Sequence, residues 1–187
     1  MTEYACIAID PPWIERGGCG RGTGNHYDTV EVRDMPRIIL QSPAWRPAPV
    51  AVVWMWTTMK SLADALWLLG ALGATYKSAG VWEKPSMGMG QYWRAQCEFL
   101  LLGTIGRGTL SMCKAHRELN DTRANLTNVI RTRPSFGMVH SRKPREAYDR
   151  IERLCPGPRV ELFAREAREG WHRWGLEAPD GPGRLAA

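Results

Sequence analysis

The stretch Tyr4–Asp10 (YACIAID) followed by Pro11-Pro12 restricts this chain more than any other feature. An unbroken apolar run of this length reads as a strand covered on both faces, the kind found in parallel sheets. Proline has no backbone N–H, so two in a row end the ladder. A carboxylate, Asp10, is thereby set at the carboxyl end of a buried strand. In open α/β sheets that edge is where ligands bind.

The remaining sequence alternates in the same manner. Pro49 to Trp56 (PVAVVWMW), Tyr76 to Trp82, Cys97 to Leu102 (CEFLLL), Leu126 to Arg131 and Val160 to Ala164 (VELFA) read as strands, the last of them closing the series. Leu62, Leu66, Leu69 and Leu72 recur at helical spacing within Lys60 to Leu72, with Gly73 at the C-cap position. Pro144 suits the first turn of a second helix, whose apolar face is Ala147, Ile151 and Leu154 and whose end is marked by Pro156-Gly157-Pro158. Strands alternating with helices predict an α/β fold with a mostly parallel sheet flanked by helices. Two glycine-bearing stretches interrupt it. Gly17 to Gly24 holds five glycines in eight residues and reads as a mobile surface loop, and Lys84 to Arg94 reads as a second long loop.

At 187 residues the chain is the size of one domain. We expect that domain to span residues 1–178, with a disordered Gly/Pro/Ala-rich tail over 179–187. Hydrophobic residues make up 44% and charged residues 24%, enough for a core and too polar for a membrane protein with no run of 18 apolar residues. The N-terminus lacks a basic segment before its first apolar run, which argues against secretion. The five cysteines are odd in number and without CxxC spacing, and the four histidines show no metal-ligand spacing. These features predict a cytoplasmic protein with reduced thiols and no metal site. Between Ile105 and Arg145 nine Lys or Arg stand against two acids, a local excess of +7 in a chain whose net charge is +6. Such a segment fits a polyanion, most often nucleic acid, and fits equally a solvated basic face.

The chemistry is concentrated in Asp10-Pro11-Pro12-Trp13. The carboxylate and the prolyl carbonyls make a site of acceptors with few donors. An amine whose N–H bonds point at acceptors has its lone pair freed for attack, and the carboxylate stabilises the positive charge that grows on nitrogen during alkylation. Trp13 offers a flat face on which a base can stack. Tyr92 and Trp93 are either core or base contacts. Glu98, inside CEFLLL, must lie at a strand edge or have a partner, because an unpaired buried carboxylate is costly.

The arrangement resembles the MT-A70 family of adenine N(6)-methyltransferases. Beyond DPPW, the similarity covers His26-Tyr27-Asp28-Thr29-Val30, Trp82-Glu83-Lys84, Gly90 to Gly103, His140 to Pro144, Ile151 to Leu154, Glu161 to Arg165 and Trp171 to Gly175, all in family order. The resemblance implies a Rossmann-like fold dependent on S-adenosylmethionine. It implies that Asp10, Pro11, Pro12 and Trp13 hold the target amine, with Asp10 also near the cofactor ammonium. Lys143 would pair with the methionine carboxylate of the cofactor, and Arg165 and Glu161 would hold its ribose side. Tyr27, Lys84 and Glu98 would face the substrate. Leu176 stands where family members often carry Asn, and Arg168 is the candidate replacement for that cofactor contact.

The expected reaction is methyl transfer to the exocyclic amine of adenine in nucleic acid, DNA more than RNA, by a monomer or homodimer. Two other readings remain: a non-catalytic nucleic-acid-binding paralogue, and a methyltransferase acting on a protein amide.

Overall fold

The computed structural model describes residues 2–14, 30–88, 92–106, 127–132, 142–155 and 157–175. Tyr27, the glycine-rich stretch over 17–24, the tail over 179–187, Leu176 and most of the basic segment lie outside the described residues, among them Arg107, Lys114, Arg117, Arg123 and Arg133.

Seven strands form one sheet in the order β5-β3-β4-β2-β1-β6-β7. They are β1 (Tyr4–Ile9), β2 (Pro47–Thr58), β3 (Thr75–Glu83), β4 (Cys97–Ile105), β5 (Val129–Arg131), β6 (Arg159–Leu162) and β7 (Trp171–Trp174). Among the described residues three α-helices accompany them: α1 (Met35–Gln41), α2 (Leu62–Ala71) and α3 (Arg145–Leu154). Every pairing is parallel except those of β4, which runs antiparallel to both β2 and β3. The mostly parallel α/β sheet expected of a Rossmann-like fold is therefore present, with one reversed strand in its interior.

Alternation along the central strands sorts the core into two layers. Ile7, Ile9, Val53 and Met55 face α1 and α2 and pack with Met35, Ile39, Leu68 and Leu69. Cys6, Ala8, Val52, Trp54 and Trp56 face the other side and pack with Ala147, Tyr148 and Ile151 of α3. A strand apolar at every position follows from having both faces covered.

Several local details differ from the sequence expectation. Helix α2 buries Ala65, Leu68, Leu69 and Leu72, while Leu66 is 40% exposed. The small Ala65, not Leu66, faces the sheet, so the helix lies close to it. Gly103 on β4 is what allows that approach. A Cβ there would stand 2.8 Å from Leu69 Cδ2 and 3.2 Å from Ala74 Cβ. Pro144 precedes α3 as its N-cap instead of entering its first turn. The preceding residue, Lys143, is thereby kept out of the helix, because proline disfavours the α region for its predecessor. The guanidinium of Arg159 on β6 donates to the Cys155 and Glu152 carbonyls, which satisfies the C-terminal end of α3.

Two elements escaped the sequence reading. Helix α1 has only seven residues, and β7 (WHRW) was hidden by its polar centre. Strand β7 pairs in parallel with β6, and the turn between them passes through Phe163, whose φ of 59° lies in the left-handed region. That conformation costs a non-glycine residue roughly 1 kcal/mol or more. Its ring stacks edge-on against Trp174 at 5.6 Å, and Ala164 N–H donates to the Trp174 carbonyl. Gly175 packs against the same turn. A Cβ there would meet Ala164 N at 2.8 Å and Phe163 C at 2.9 Å, so no side chain fits.

Gly103→Ala is expected to cost about 1–3 kcal/mol by overpacking against Leu69. In urea titrations the Gly103→Ala, Leu69→Ala double variant should lose less stability than the sum of the singles, because the shorter side chain removes the clash.

Candidate functional site

The carboxyl ends of β1, β2, β3, β6 and β7 lie along one edge of the sheet. The reversal of β4 brings its first residues to that same edge. There the structure gathers Asp10, Glu98, Lys84 and Lys143 into one chain of ion pairs. Lys84 Nζ stands 3.2 Å from Glu98 Oε1. Lys143 Nζ stands 3.1 Å from Glu98 Oε2 and 3.1 Å from Asp10 Oδ1. The charges alternate in sign from the end of β3 to the end of β1, spanning four adjacent strands. Between them lies β2, and the Lys143 ammonium stands 5.5 Å from the ring centroid of Trp56 on that strand. Asp10, Glu98 and Lys143 are nearly buried, each with a side chain 10% exposed.

Burial and charge act against each other here, and charge wins. Burial alone would raise the Glu98 pKa, but the Lys143 and Lys84 ammonium groups hold it below the ordinary carboxylate value. Burial alone would lower the Lys143 pKa, but Asp10 and Glu98 hold it above the ordinary lysine value. Glu98 thus meets both requirements set by its place in an apolar strand: it begins the strand, and it has partners.

A second group adjoins the first on the same face of the sheet. Tyr148 of α3 donates its hydroxyl to Glu161 Oε1 of β6 at 2.5 Å, and the Arg168 guanidinium carbon lies 3.5 Å from the centroid of the Tyr148 ring. Burial and the Glu161 charge push the Tyr148 pKa well up, so the hydroxyl remains a donor. Burial raises the Glu161 pKa, opposed by the Tyr148 bond and Arg168 and reinforced by the nearby charge of Asp10. The two groups therefore share one electrostatic neighbourhood. Arg165 is half-buried just beyond the end of β6.

The Asp10-Pro11-Pro12-Trp13 segment leaves β1 and curls tightly. Trp13 N–H donates to the Pro11 carbonyl at 2.8 Å, and its indole N–H donates to the Trp56 carbonyl at 3.0 Å. Trp13 is only 5% exposed and belongs to the core layer of α1 and α2. The open stacking face expected from the sequence is therefore inside the protein, where the indole's large apolar area is worth more. Trp13 instead pins the two prolines against the end of β2. Pro11 is buried and Pro12 half-buried.

Trp56, Thr58 and Tyr148 belong to the site and were not read from the sequence as parts of it. Tyr148 was findable, since it falls on the apolar face of α3 beside Ala147 and three residues before Ile151. Trp56 and Thr58 end an apolar strand, and only the pairing of β2 beside β1 brings them next to Asp10. Trp56 Nε1, Thr58 Oγ1 and Arg168 Nε are buried without a hydrogen-bond partner among the described residues. Buried polar atoms in that condition are costly, and a bound molecule carrying acceptors and hydroxyls would satisfy them. Among the described residues no group of His, Cys, Asp and Glu is arranged to hold a metal ion, and no helix is long and apolar enough to cross a membrane.

An acid–base chain at the carboxyl edge of an α/β sheet, beside DPPW, lies where such folds bind their ligands. Comparison with known proteins makes the class definite. The MT-A70 family model matches residues 4–177, and the chain belongs to that family of methyltransferases. It is also 28% identical to the Type II methyltransferase M.MunI of a Mycoplasma species, over 95% of this chain and 79% of that protein.

Removal of the shared cation by Lys143→Met leaves two carboxylates buried without it, and is expected to cost about 3–5 kcal/mol at neutral pH. The folded-state pKa of Glu98 is depressed, so its stabilising contribution is present above the unfolded value of about 4.3 and is lost as pH falls through the folded one. The deficit of the variant should therefore shrink as the pH is lowered below about 4.3, as followed by urea denaturation.

Proposed function

We propose that this methyltransferase transfers a methyl group from S-adenosylmethionine to the exocyclic N(6) amine of adenine in nucleic acid, with DNA favoured over RNA. The observation that carries this reading is a buried carboxylate, Asp10, locked to Lys143 at the end of the central strand and followed by two prolines.

When bound, the cofactor supplies a methyl group on a positively charged sulfur. The residues present fit such a ligand. Carboxylates of Asp10, Glu98 and Glu161 stand among the cations of Lys84, Lys143 and Arg168, which suits a molecule that carries both an amino-acid zwitterion and a sulfonium. Lys143 and Arg168 would hold its carboxylate and ribose side, with Glu161 and Arg165 beside them. The unpartnered Trp56 N–H and Thr58 hydroxyl offer further contacts.

The target amine is served by this chain's acceptors. Lys143 holds Asp10 Oδ1, and the other carboxylate oxygen, Oδ2, is the one we assign to an amine N–H. The Pro11 carbonyl already accepts one bond from Trp13, so its second lone pair and the Pro12 carbonyl complete the acceptor set. Held this way, the nitrogen lone pair points away from the protein, toward the methyl donor. The charge that grows on nitrogen is then stabilised by Asp10. The leaving group needs no acid, and the cationic methylated nitrogen is acidic enough to lose its extra proton to water, so positioning and electrostatics are the protein's main task. In duplex DNA the base must leave the stack, at a cost of a few kcal/mol. Tyr27 and Lys84 are assigned to the substrate side, together with Glu98 through its pairing. Residues 1–178 are read as one methyltransferase domain, acting in the cytoplasm.

Retention of the acidic prolyl segment, with its carboxylate held in place, favours catalysis over a binding-only paralogue. The basic segment favours nucleic acid over a protein amide.

Asp10→Ala is expected to lower methyl transfer by at least about 100-fold, the size of effect seen when one preorganised transition-state group is lost. The assay uses matched single- and double-stranded DNA and RNA, with nucleoside mass spectrometry to identify N(6)-methyladenine. Product in the wild type on peptide alone, or wild-type rates in Asp10→Ala, would overturn the assignment.

A further inference from the structure

The loop between β3 and β4 carries two aromatic side chains that the fold does not use. Tyr92 is 94% exposed and Trp93 88% exposed, so neither is core. We propose that Tyr92 and Trp93 form a stacking platform for unpaired bases flanking the target adenine, an inference that rests on the nucleic-acid reading above.

The loop is built to hold such a platform. It is a continuation of the β3–β4 hairpin past the sheet edge. Lys84 N–H donates to the Gln96 carbonyl, and Gly88 N–H donates to the Ala95 carbonyl, each at 2.7 Å. The Gln96 side chain donates to the Lys84 carbonyl at 3.3 Å. The Arg94 guanidinium donates to the Met87 and Gly88 carbonyls, which ties the residue next to Trp93 back across the hairpin. The base of the same hairpin carries Lys84 and Glu98, two members of the ion chain that reaches Asp10. Trp93 is five residues from Glu98, at most about 17 Å along an extended chain. The rings therefore stand beside the reaction centre and outside it.

Two adjacent, nearly fully hydrated rings on a braced hairpin forgo the burial that aromatic side chains normally gain. Every nucleobase offers a flat π-face that restores it, and the Arg94 cation beside the rings adds attraction for the phosphate backbone. Only bases that are not paired and stacked in a duplex present both faces. The platform thus commits the substrate to a single strand, or to a duplex opened around the flipped adenine.

The test uses the full chain and fluorescein-labelled single-stranded DNA, duplex DNA and single-stranded RNA in anisotropy titrations. Trp93→Ala and Tyr92→Ala should each weaken single-strand binding by roughly 5- to 150-fold, and Trp93→Phe should restore most of the loss. In the wild type, 2-aminopurine placed next to a single adenine should change its fluorescence on binding, and Trp93→Ala should remove that change. Affinity for S-adenosylhomocysteine, measured by calorimetry, should be the same in all variants, which shows that each is folded.

Unchanged oligonucleotide binding in Trp93→Ala overturns the proposal. So does failure of the wild type to bind any of the three nucleic acids. Sedimentation gives a third such outcome: if the substitutions dissociate a dimer and leave oligonucleotide affinity alone, the rings serve a second copy of the chain. Trp93-dependent binding without methyl transfer would instead leave the platform standing and defeat the catalytic reading.

Discussion

The site depends on one ammonium group placed between two carboxylates. Lys143 holds Asp10 and Glu98 at 3.1 Å each, and no member of that trio is tolerable alone at its depth. An isolated buried carboxylate costs several kcal/mol, and so does an isolated buried ammonium. Shared, the charges make each other affordable, and Lys84 closes the sequence at its outer end. The arrangement also ties the end of β1, the start of β4, the residue after β3 and the approach to α3 to one point. A cluster of this kind is weak evidence for stability as such, since an apolar replacement often does as well. Its stronger claim is specificity of arrangement, because only one relative placement of the four segments satisfies all the charges.

That placement requires β4 to run backwards. In an all-parallel sheet each strand brings only its last residue to the carboxyl edge, and the chain must then cross back through a helix. An antiparallel β4 starts at that edge and is reached from β3 by a hairpin instead of a crossover. Glu98, its second residue, therefore stands opposite Thr58 of β2 and Trp82 of β3. The connection left over, of which residues 84–88 and 92–96 are described, continues from the edge beside the site. One reversal of direction thus supplies both a member of the ion chain and the segment that extends beyond it.

The sequence made the interior strands legible because burial on both faces leaves unbroken apolar runs, as in YACIAID and CEFLLL. Strand direction leaves no such trace. CEFLLL has the composition of a parallel strand and lies antiparallel, since what decides is the length of the connection before it. The glutamate inside it was the visible anomaly, and its partners came from the resemblance, in WEK and HSRKP, only as separate residues. Trp13 shows the opposite failure. Its proximity to a reactive carboxylate made a stacking role natural, but a large indole beside a strand end gains more from burial, and its N–H found the Trp56 carbonyl. Short elements were lost for want of signal: seven residues of α1 and four of β7 are too few for periodicity. Tyr148 was legible as a residue of the apolar face of α3, but not as the partner of Glu161 and Arg168.

The same electrostatics bears on why an aspartate can serve here as an acceptor. The cofactor proposed for this site is cationic at sulfur, and the amine becomes cationic as it is alkylated, so the pocket must stabilise positive charge. A bare cluster of carboxylates would do this, but at high cost of burial before any ligand arrives. Alternating the carboxylates with lysines keeps the unliganded site near neutrality and fixes the orientation of each carboxylate. One oxygen of Asp10 is then held by Lys143. The field is paid for during folding, not during the reaction, which is the condition under which electrostatic stabilisation lowers a barrier. Trp56 lies against the ammonium, and Trp13 pins the prolines to the end of β2. In the proposed reaction the acceptor's orientation, not its charge, is therefore what Lys143 and Trp13 supply.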